Sequence, residues 1–574
     1  MAVYNAVSKP TPQSGQPKYR SASRHLMITP SLACQANCAY CFGPNRGPIM
    51  RNEVFDKAVE WIDRTTSTDE IVDIPFHGGE PLIPGVKWYQ RNLPILRQRF
   101  GDRLRLHVQS NLWLLDEAFC QLFKGYRVSL GTSLDGPEHI NDPQRGAGYF
   151  RRTMEAIQRA RVHGMSVGCI CTFTAQSVAH VDEIFDFFLH EGLHFSIHVA
   201  EPTLGAPPNE LTVSADAHSE LFLRLLERYL ENLDKIRIST LDALIKSVSA
   251  QRGGICTFGD CLGGHLTIGP DGGIYLCQRF AGMPDYAFGN VEQVPTMTTL
   301  GTNPVWQMFK DRQDRIEEEC GDCANLSHCR GGCPYKVLAA NGGSFATTLR
   351  DPHCTSYKRI FSHIVDKATD EVFAEANLQA IVEQPDAKAG VLRHGKLLSI
   401  MGDGPHPYDV TQNARRTLAT VALAATGSQA KATQKFQQLG LITNAAQTKA
   451  AMQALWQRLT ARTSGFNNIY LHVTFACPLR CEHCYSESGP GRKGTLTVDD
   501  VVRSCYDAAG WGFRHLVITG GEPLVHPQRQ ALLDALVLLR PQVKPSSRQP
   551  RSAGLLAAAW VVGARVFCVY RHPP

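Results

Sequence analysis

Hydrophobic and polar residues follow two different periods between residues 24 and 200. Short runs rich in β-branched and aromatic residues alternate with longer segments, such as NEVFDKAVEWIDRT, whose apolar residues recur every three to four positions. The short runs are typical of buried strands and the longer segments of amphipathic helices. In chain order the strand-like runs are RHLMITP, IVDIPF, LRLHVQS, RVSLGTS, SVGCICTF and HFSIHV. Six strand-then-helix units predict an α/β fold whose parallel sheet curls into a partial (β/α)6 barrel of the TIM type.

The same pattern begins again near residue 468. The run NIYLHVTF is followed by the helical segment TVDDVVRSCYDAAGWG and by a second strand, HLVIT. Only two such units are present, and after about residue 545 the periodicity is lost, as a truncation or a shifted reading frame would cause. The repeat therefore predicts an incomplete second copy of the barrel.

Changes in composition divide the chain further. Between residues 250 and 360 Gly, Cys and short turns dominate with little helical period, whereas the segment after 360 is rich in Ala and Gln and mostly helical in pattern. We therefore predict six regions: a disordered tail (1–20), an α/β core (21–245), a Cys-rich domain (246–360), an α-rich linker region (361–465), a partial second core (466–545) and an irregular tail (546–574).

Charge and hydropathy indicate the partners and the cellular location to expect. The formal net charge of +6 is small for 574 residues and shows no basic cluster, so neither nucleic acid nor a membrane surface is predicted as a partner. The first twenty residues lack the apolar run of a secretory signal. The apolar stretch GLLAAAWVVGARVFCVY is interrupted by Arg565 and is too short for a transmembrane helix. We expect a cytoplasmic protein.

Two cysteine triplets share the spacing C-x3-C-x2-C. They read CQANCAYC at residues 34–41 and CPLRCEHC at 477–484, and the first follows the first predicted strand directly. Because the cytosol keeps thiols reduced, clustered cysteines there indicate metal or redox chemistry rather than disulfides. Three thiolates can hold three irons of a 4Fe-4S cluster and leave the fourth iron open. A structural zinc site is the alternative, but it needs a fourth ligand that neither triplet supplies nearby.

With these motifs, the first 360 residues resemble a radical S-adenosylmethionine (SAM) enzyme that carries a SPASM domain. The resemblance implies that Cys34, Cys38 and Cys41 hold a 4Fe-4S cluster, whose open iron binds SAM and generates a 5′-deoxyadenosyl radical. It also implies a SAM-binding role for residues of HGGEPL, SLDGP and the adjoining segments. These residues are Tyr40, Gly78, Gly79, Glu80, Pro81, Ser133 and Arg145.

Eight further cysteines lie between residues 256 and 354 and resemble the full SPASM pattern of two auxiliary 4Fe-4S clusters. By that resemblance, the first auxiliary set is Cys256, Cys261, Cys277 and Cys333, and the second auxiliary set is Cys320, Cys323, Cys329 and Cys354. Eight thiolates would fill both clusters, so electron transfer is their expected role, with a flavodoxin or ferredoxin as donor. Two zinc knuckles are the alternative. The other cysteines, Cys120, Cys169, Cys171, Cys505 and Cys568, lack ligand spacing and are interpreted as small apolar residues.

Within that superfamily the chain is most similar to anaerobic sulfatase maturases and to enzymes that modify ribosomal peptides. Maturases carry an aspartate base directly after the third SPASM cysteine, where this chain has Gln278, an amide that cannot take up a proton. We therefore predict oxidative modification of a peptide or protein substrate. Sulfatase maturation, a small-molecule radical reaction and a non-catalytic iron-sulfur electron carrier are the alternatives.

The second triplet is accompanied by a second GGEP, at residues 520–523. By the same resemblance Cys477, Cys481 and Cys484 would hold a further 4Fe-4S cluster. His483 replaces the aromatic residue before the third cysteine, and the later strands with the serine and arginine elements are missing. We expect this partial domain either to be inactive or to bind a cluster poorly.

Overall fold

The computed structural model describes residues 23–372 apart from 69, 207–208, 251–252, 260 and 263, scattered positions between 374 and 451, and residues 468–480, 488–510 and 515–538. The predicted tails at 1–20 and 546–574 lie outside the described residues, as does most of the predicted linker region 361–465. The chain divides into two compact units, residues 1–363 and 364–574, and each unit is described separately.

The core of the first unit is a sheet of six parallel strands. Their order across the sheet is β6-β5-β4-β3-β2-β1, so every strand lies beside its neighbour in sequence, as right-handed strand-helix-strand units require. The strands are β1 Ser23–Ile28, β2 Ile71–Phe76, β3 Leu104–Gln109, β4 Val128–Ser133, β5 Val167–Phe173 and β6 Phe195–Val199. Each coincides with a strand-like run of the sequence. The predicted α/β fold class, with its parallel sheet, is confirmed.

Helices between and after these strands cover the outer face of the sheet. They are α1 Asn52–Thr65, α2 Val86–Phe100, α3 Glu117–Tyr126, α4 Glu138–Arg145, α5 Tyr149–Val162, α6 Val181–Glu191, α7 Ala215–Glu231 and α8 Ser239–Ala250. In α1 the apolar positions form one buried face that includes Phe55, Trp61 and Ile62. None of the helices in the described part of the chain is long and apolar enough to cross a membrane.

The Cys-rich region extends this sheet. Strand β7 (His265–Ile268) pairs in parallel with β1, and β8 (Gly273–Tyr275) and β9 (Gly289–Asn290) follow it antiparallel. Five helices complete the region: α9 Met297–Gly301, α10 Pro304–Cys320, α11 Leu326–Cys329, α12 Pro334–Ala340 and α13 Cys354–Val372. The 17-residue α10 was not predicted. It buries only Phe309, Arg312, Ile316 and Cys320, and so narrow an apolar stripe leaves little helical signal in the sequence.

The second unit contains a two-stranded parallel sheet. Strands β10 (Asn468–Thr474) and β11 (His515–Gly520) pack with helices α14 (Val498–Gly510) and α15 (Arg529–Leu538) around a small core. That core consists of Val473, Val501, Ile518, Leu532 and Leu536. Large apolar side chains stay exposed near it, among them Leu479 and Leu524. In its described part this unit repeats the first two strands of the larger sheet.

Candidate active site

The first cysteine triplet lies on the loop that connects β1 to α1. Backbone and side-chain donors point at its sulfur atoms: Ala36 N lies 3.4 Å from Cys34 Sγ, and Arg145 Nη1 lies 3.8 Å from Cys38 Sγ. Burial raises the pKa of Cys34 to about 11, so the free thiol holds its proton at neutral pH. Because a metal binds the thiolate, cluster assembly would release these protons, and the nearby donors would then stabilise the charged sulfurs.

The turn formed by residues 78–81, the GGEP turn, is hydrogen-bonded to the start of this loop. Gly79 N donates to Ser31 O (2.9 Å) and Glu80 N donates to Ala33 O (2.7 Å). A Cβ atom on Gly79 would lie 2.4 Å from Ala33 O, so only glycine allows this approach. Gly78 has a φ of +134° and a similar conflict with Thr29. The two glycines therefore bring the turn against the backbone that precedes Cys34.

Replacing Gly79 with alanine should destabilise this junction. The added methyl group meets backbone atoms that cannot rotate away, so we expect the free energy of unfolding to fall by about 1–3 kcal/mol in a urea titration. Gly125 in α3 is a matched control, because a Cβ there meets no atom within 4 Å. Gly125→Ala should be neutral or stabilising by up to about 1 kcal/mol. Equal losses in the two variants would contradict the proposed close approach.

Glu80, the third residue of the GGEP turn, has a fully buried side chain. Its carboxylate accepts hydrogen bonds from Leu82 N and Ser110 Oγ (both 2.8 Å) and from Asn111 N (2.9 Å). Burial raises its pKa to about 7, because these donors only partly offset the loss of water. The carboxylate thus ties the turn to the end of β3, and Pro81 O accepts from Tyr89 Oη (2.8 Å) at the other side. Direct binding of SAM by Glu80 stays a prediction.

Arg145 and Tyr40 meet at a buried carboxylate that the sequence analysis did not single out. Asp135 Oδ1 accepts from Arg145 Nη2 (2.8 Å) and Asp135 Oδ2 accepts from Tyr40 Oη (2.7 Å). The Arg145 guanidinium also lies over the Tyr40 ring, 5.3 Å from its centre. Asp135 belongs to the quoted motif SLDGP, so the sequence did contain a signal. Ser133, two residues earlier, accepts instead from Gln109 Nε2 (3.2 Å).

One nitrogen of the Arg145 guanidinium makes no hydrogen bond in this arrangement. Its Nε is buried and has no hydrogen-bond partner among the described residues. A buried donor without a partner is costly, so an acceptor from a bound water or ligand would stabilise it. The carboxylate of SAM has the charge and the acceptor atoms that this donor lacks. The residues present beside the first triplet therefore fit SAM.

The first auxiliary set lines a single cavity of about 550 Å³. Cys256, Cys261, Cys277 and Cys333 all contribute to its wall. The same wall contains Phe42, next to the first triplet, and His77, next to the GGEP turn. The cavity, termed the auxiliary cavity below, therefore reaches from the loops of the first triplet to the first auxiliary set.

The second auxiliary set lines a separate, smaller cavity. Cys320, Cys323, Cys329 and Cys354 surround it together with Tyr357 and Phe361. The eight cysteines are thus divided in space into two groups of four. A zinc knuckle would instead need its ligands around one point about 2.3 Å from each sulfur. Among the described residues, no three Cys, His, Asp or Glu side chains are arranged to hold a single metal ion.

The second GGEP reproduces the backbone geometry of the first. Gly521 N donates to Thr474 O (2.6 Å) and Glu522 N donates to Ala476 O (2.9 Å), the residue before Cys477. Gly520 has a φ of +131°, close to that of Gly78. Cys481 and Cys484 lie outside the described residues, so their prediction as ligands stands without a structural description. Glu522, unlike Glu80, is not buried.

The sequence-based prediction also did not identify three charged residues of the auxiliary cavity. Glu201 and Lys336 form an ion pair within its wall, and Arg279 lies beside them. Glu201 is part of the quoted run IHVAEP, Arg279 follows Gln278, and Lys336 comes three residues after Cys333. Proximity to predicted ligands was the available signal. The pairing itself joins segments far apart in the chain and could not be read from spacing.

Comparison with known proteins identifies the family of both regions. The sequence model of the radical SAM superfamily matches residues 28–188 and 471–555, and the model of SPASM, an iron-sulfur cluster-binding domain, matches residues 256–324. An uncharacterized protein of Methanothermobacter thermautotrophicus is 39% identical over 232 residues, which are 40% of this chain and 88% of that protein.

More distant relatives and solved structures have the same fold. A cysteine-type anaerobic sulfatase-maturating enzyme of Clostridium perfringens is 23% identical over 359 residues, covering 59% of this chain and 95% of the enzyme. The structure of native anSMEcpe with bound AdoMet superposes with a TM-score of 0.54 at 20% identity, over 60% of this chain and 98% of that one. The chain belongs to the radical SAM superfamily and carries a SPASM domain.

Proposed function

We propose that this chain is a radical SAM enzyme that oxidatively modifies a peptide or protein. The observation that carries the proposal is the auxiliary cavity, whose wall includes residues beside the first triplet and all four cysteines of the first auxiliary set. A volume of about 550 Å³ is within the range of small-molecule sites and suits one or two side chains of a peptide. Substrate bound there would lie between a radical source and an electron acceptor.

The cofactors follow from the residues available to hold them. Cys34, Cys38 and Cys41 would hold the first 4Fe-4S cluster, and the two auxiliary sets would each hold one more. When bound, the first cluster and SAM supply the 5′-deoxyadenosyl radical that abstracts hydrogen from substrate. Arg145 Nε and the Tyr40 ring would orient SAM, because both lie beside Cys38 and the guanidinium is already positioned by Asp135.

Acceptor atoms in the auxiliary cavity support a substrate that brings hydrogen-bond donors. Glu201 Oε2 and Gln278 Oε1 are buried and have no hydrogen-bond partner among the described residues. A peptide carries N–H donors at every residue, which would satisfy such atoms. A non-catalytic electron carrier would not need them, nor the free donor on Arg145. A small-molecule substrate is the alternative occupant of the same cavity, and the experiment below distinguishes it from a peptide.

Relatives also support a peptide substrate. One solved structure of anSMEcpe contains AdoMet together with the Cp18Cys peptide, and five of the curated relatives are named sulfatase-maturating enzymes. Gln278 argues against the maturase reaction itself, since an amide cannot accept the proton. We therefore favour another peptide modification. We place it in the cytoplasm, with a flavodoxin or ferredoxin as the electron donor.

The test is anaerobic reconstitution with iron and sulfide, followed by dithionite and SAM. Chromatography should detect 5′-deoxyadenosine, and mass spectrometry should detect an oxidised product when a peptide encoded beside this gene is added. Formation of the nucleoside without any effect of candidate peptides would favour a small-molecule substrate. Iron binding without any nucleoside would favour the electron carrier.

Gln278 gives a sharper prediction with a defined probe, the Cp18Cys peptide. We expect this chain to oxidise about 10²-fold less of this peptide per SAM cleaved than the clostridial maturase does, because a positioned base contributes about 10²–10⁴ to such steps. Mass spectrometry of the peptide after equal numbers of SAM cleavage events gives the comparison. A comparable yield from both enzymes would make sulfatase maturation the better assignment.

A further inference from the structure

Buried charges surround the first auxiliary set. Lys336 and Glu201 form an ion pair whose side chains are only 11% and 2% exposed. Glu201 and Asp351 hold the pKa of Lys336 above its usual value despite burial, so the ammonium stays charged. Asp351 lies on the other side, where its Oδ2 accepts from Cys333 N (2.9 Å). An ion pair this deep interacts strongly with any other charge in the same cavity, because little water screens it.

Arg279 adds a second cation to the same cavity. Its guanidinium lies between the rings of Phe42 and Tyr335, 4.8 and 4.9 Å from their centres. Arginine stays protonated in proteins, so this charge is permanent. The Phe42 ring links the arginine to the first triplet, whereas Tyr335 links it to Cys333 and Lys336. Arg279 therefore contacts rings that adjoin both cysteine sites.

Both cations act on the cysteines of the first auxiliary set. Arg279 and Lys336 contribute to the same cavity wall as Cys256, Cys261, Cys277 and Cys333, where little water separates charges. Near the second auxiliary set, the pair of Arg350 and Glu319 is more exposed, with side chains 47% and 27% exposed, whereas Asp351 and His353 beside Cys354 are buried. Solvent screens exposed pairs, so they act weakly at a distance. Lys336 and Arg279 line the cavity of the first auxiliary set and do not line that of the second.

We propose that Lys336, Arg279 and Glu201 set the reduction potential of the cluster held by Cys256, Cys261, Cys277 and Cys333. The proposal goes beyond the proposed function, because it concerns the cluster and not the substrate. Positive charge favours the reduced, more negative cluster and negative charge opposes it. The two cations therefore raise the potential and Glu201 lowers it. A raised potential would suit the auxiliary cluster that borders the substrate cavity to receive an electron.

The test is a redox titration of the reconstituted full-length chain followed by electron paramagnetic resonance. Replacing Cys34, Cys38 and Cys41, and also Cys477, Cys481 and Cys484, with alanine in every sample leaves only the signals of the two auxiliary sets. In this background Lys336→Met should make one auxiliary cluster about tenfold harder to reduce, a shift of about −59 mV for a one-electron couple. Glu201→Gln should shift the same signal in the opposite direction, and Lys336→Arg should restore the original value.

An exposed ion pair supplies the control. Lys310 pairs with Asp314 on the surface of α10, where both side chains are about half exposed, so Lys310→Met should leave both potentials unchanged. The proposal is overturned if Lys336→Met and Glu201→Gln shift the potential in the same direction, or by no more than Lys310→Met does. If Lys336→Met fails to take up iron, Glu201→Gln alone tests the proposal: a shift to higher potential supports it, and a shift to lower potential or no shift overturns it.

This measurement needs neither substrate nor turnover. A chain that modifies no peptide would still show the two opposite shifts, so failure of the proposed function and failure of the electrostatic proposal are separate results. If only one auxiliary signal is found in the background variant, and Cys277→Ala leaves it unchanged, the first auxiliary set holds no cluster and the proposal is overturned.

Discussion

Cys34→Ala is expected to abolish reductive cleavage of SAM while leaving most of the iron in place. A 4Fe-4S cluster held by only two of its three thiolates should not survive reconstitution, so about four irons should be lost from a total of about twelve. The auxiliary sets lie in cavities of their own and should retain their clusters. Iron analysis and chromatography of 5′-deoxyadenosine measure the two effects on one sample.

Cys120→Ala is the matched control for this variant. Cys120 is completely buried in α3 and belongs to none of the predicted ligand sets, so its loss should cost about 1 kcal/mol of stability and no iron. SAM cleavage should continue at the rate of the unmodified chain. Cleavage at that same rate in Cys34→Ala would remove the basis for the radical assignment.

Arg145→Met is expected to cause the largest loss of stability together with loss of SAM binding. The substitution leaves the fully buried Asp135 without its cation, and breaking a buried ion pair in this way costs about 3–5 kcal/mol. It also removes the free Nε donor that we assign to the SAM carboxylate. Urea unfolding measures the first effect, and equilibrium dialysis of SAM against the reconstituted protein measures the second.

Two further variants separate structure from binding. Arg99 forms an exposed pair with Asp63, so Arg99→Met should cost at most about 1 kcal/mol. Arg145→Lys keeps the positive charge but lacks the planar fork, so it should recover part of the stability and little of the SAM affinity. Full SAM affinity in Arg145→Lys would show that charge alone suffices and that Nε has no specific role.

Much of the first unit could be predicted because its signals are local. Each of the six strand-like runs became a parallel strand, since alternation of short apolar runs with helical segments has few other solutions. The GGEP turn was recognisable because glycine is required where backbone meets backbone, as at Gly79. The cysteines were recognisable by spacing, and the structure brings the two auxiliary sets into two separate cavities.

The features that could not be predicted from the sequence depend on contacts between segments that are distant in the chain. Pairing of β7 with β1 extends the sheet beyond the barrel strands, although the residues between them give no signal for it. The ion pair of Glu201 with Lys336 likewise joins the end of β6 to α12. Asp135 was overlooked because a carboxylate after a strand is common, and only its bonds to Arg145 and Tyr40 distinguish it. Long-range pairing of this kind leaves no periodic trace in one sequence.

The two GGEP turns have a consequence for how such sites arise. In both units a glycine N–H and a glutamate N–H bind two carbonyls that precede a cysteine, although the second unit has only two described strands beside it. Correct geometry at this junction therefore does not require a closed barrel. A strand, the loop after it, a helix and a second parallel strand are sufficient for this geometry, and a unit that short can be copied within a gene.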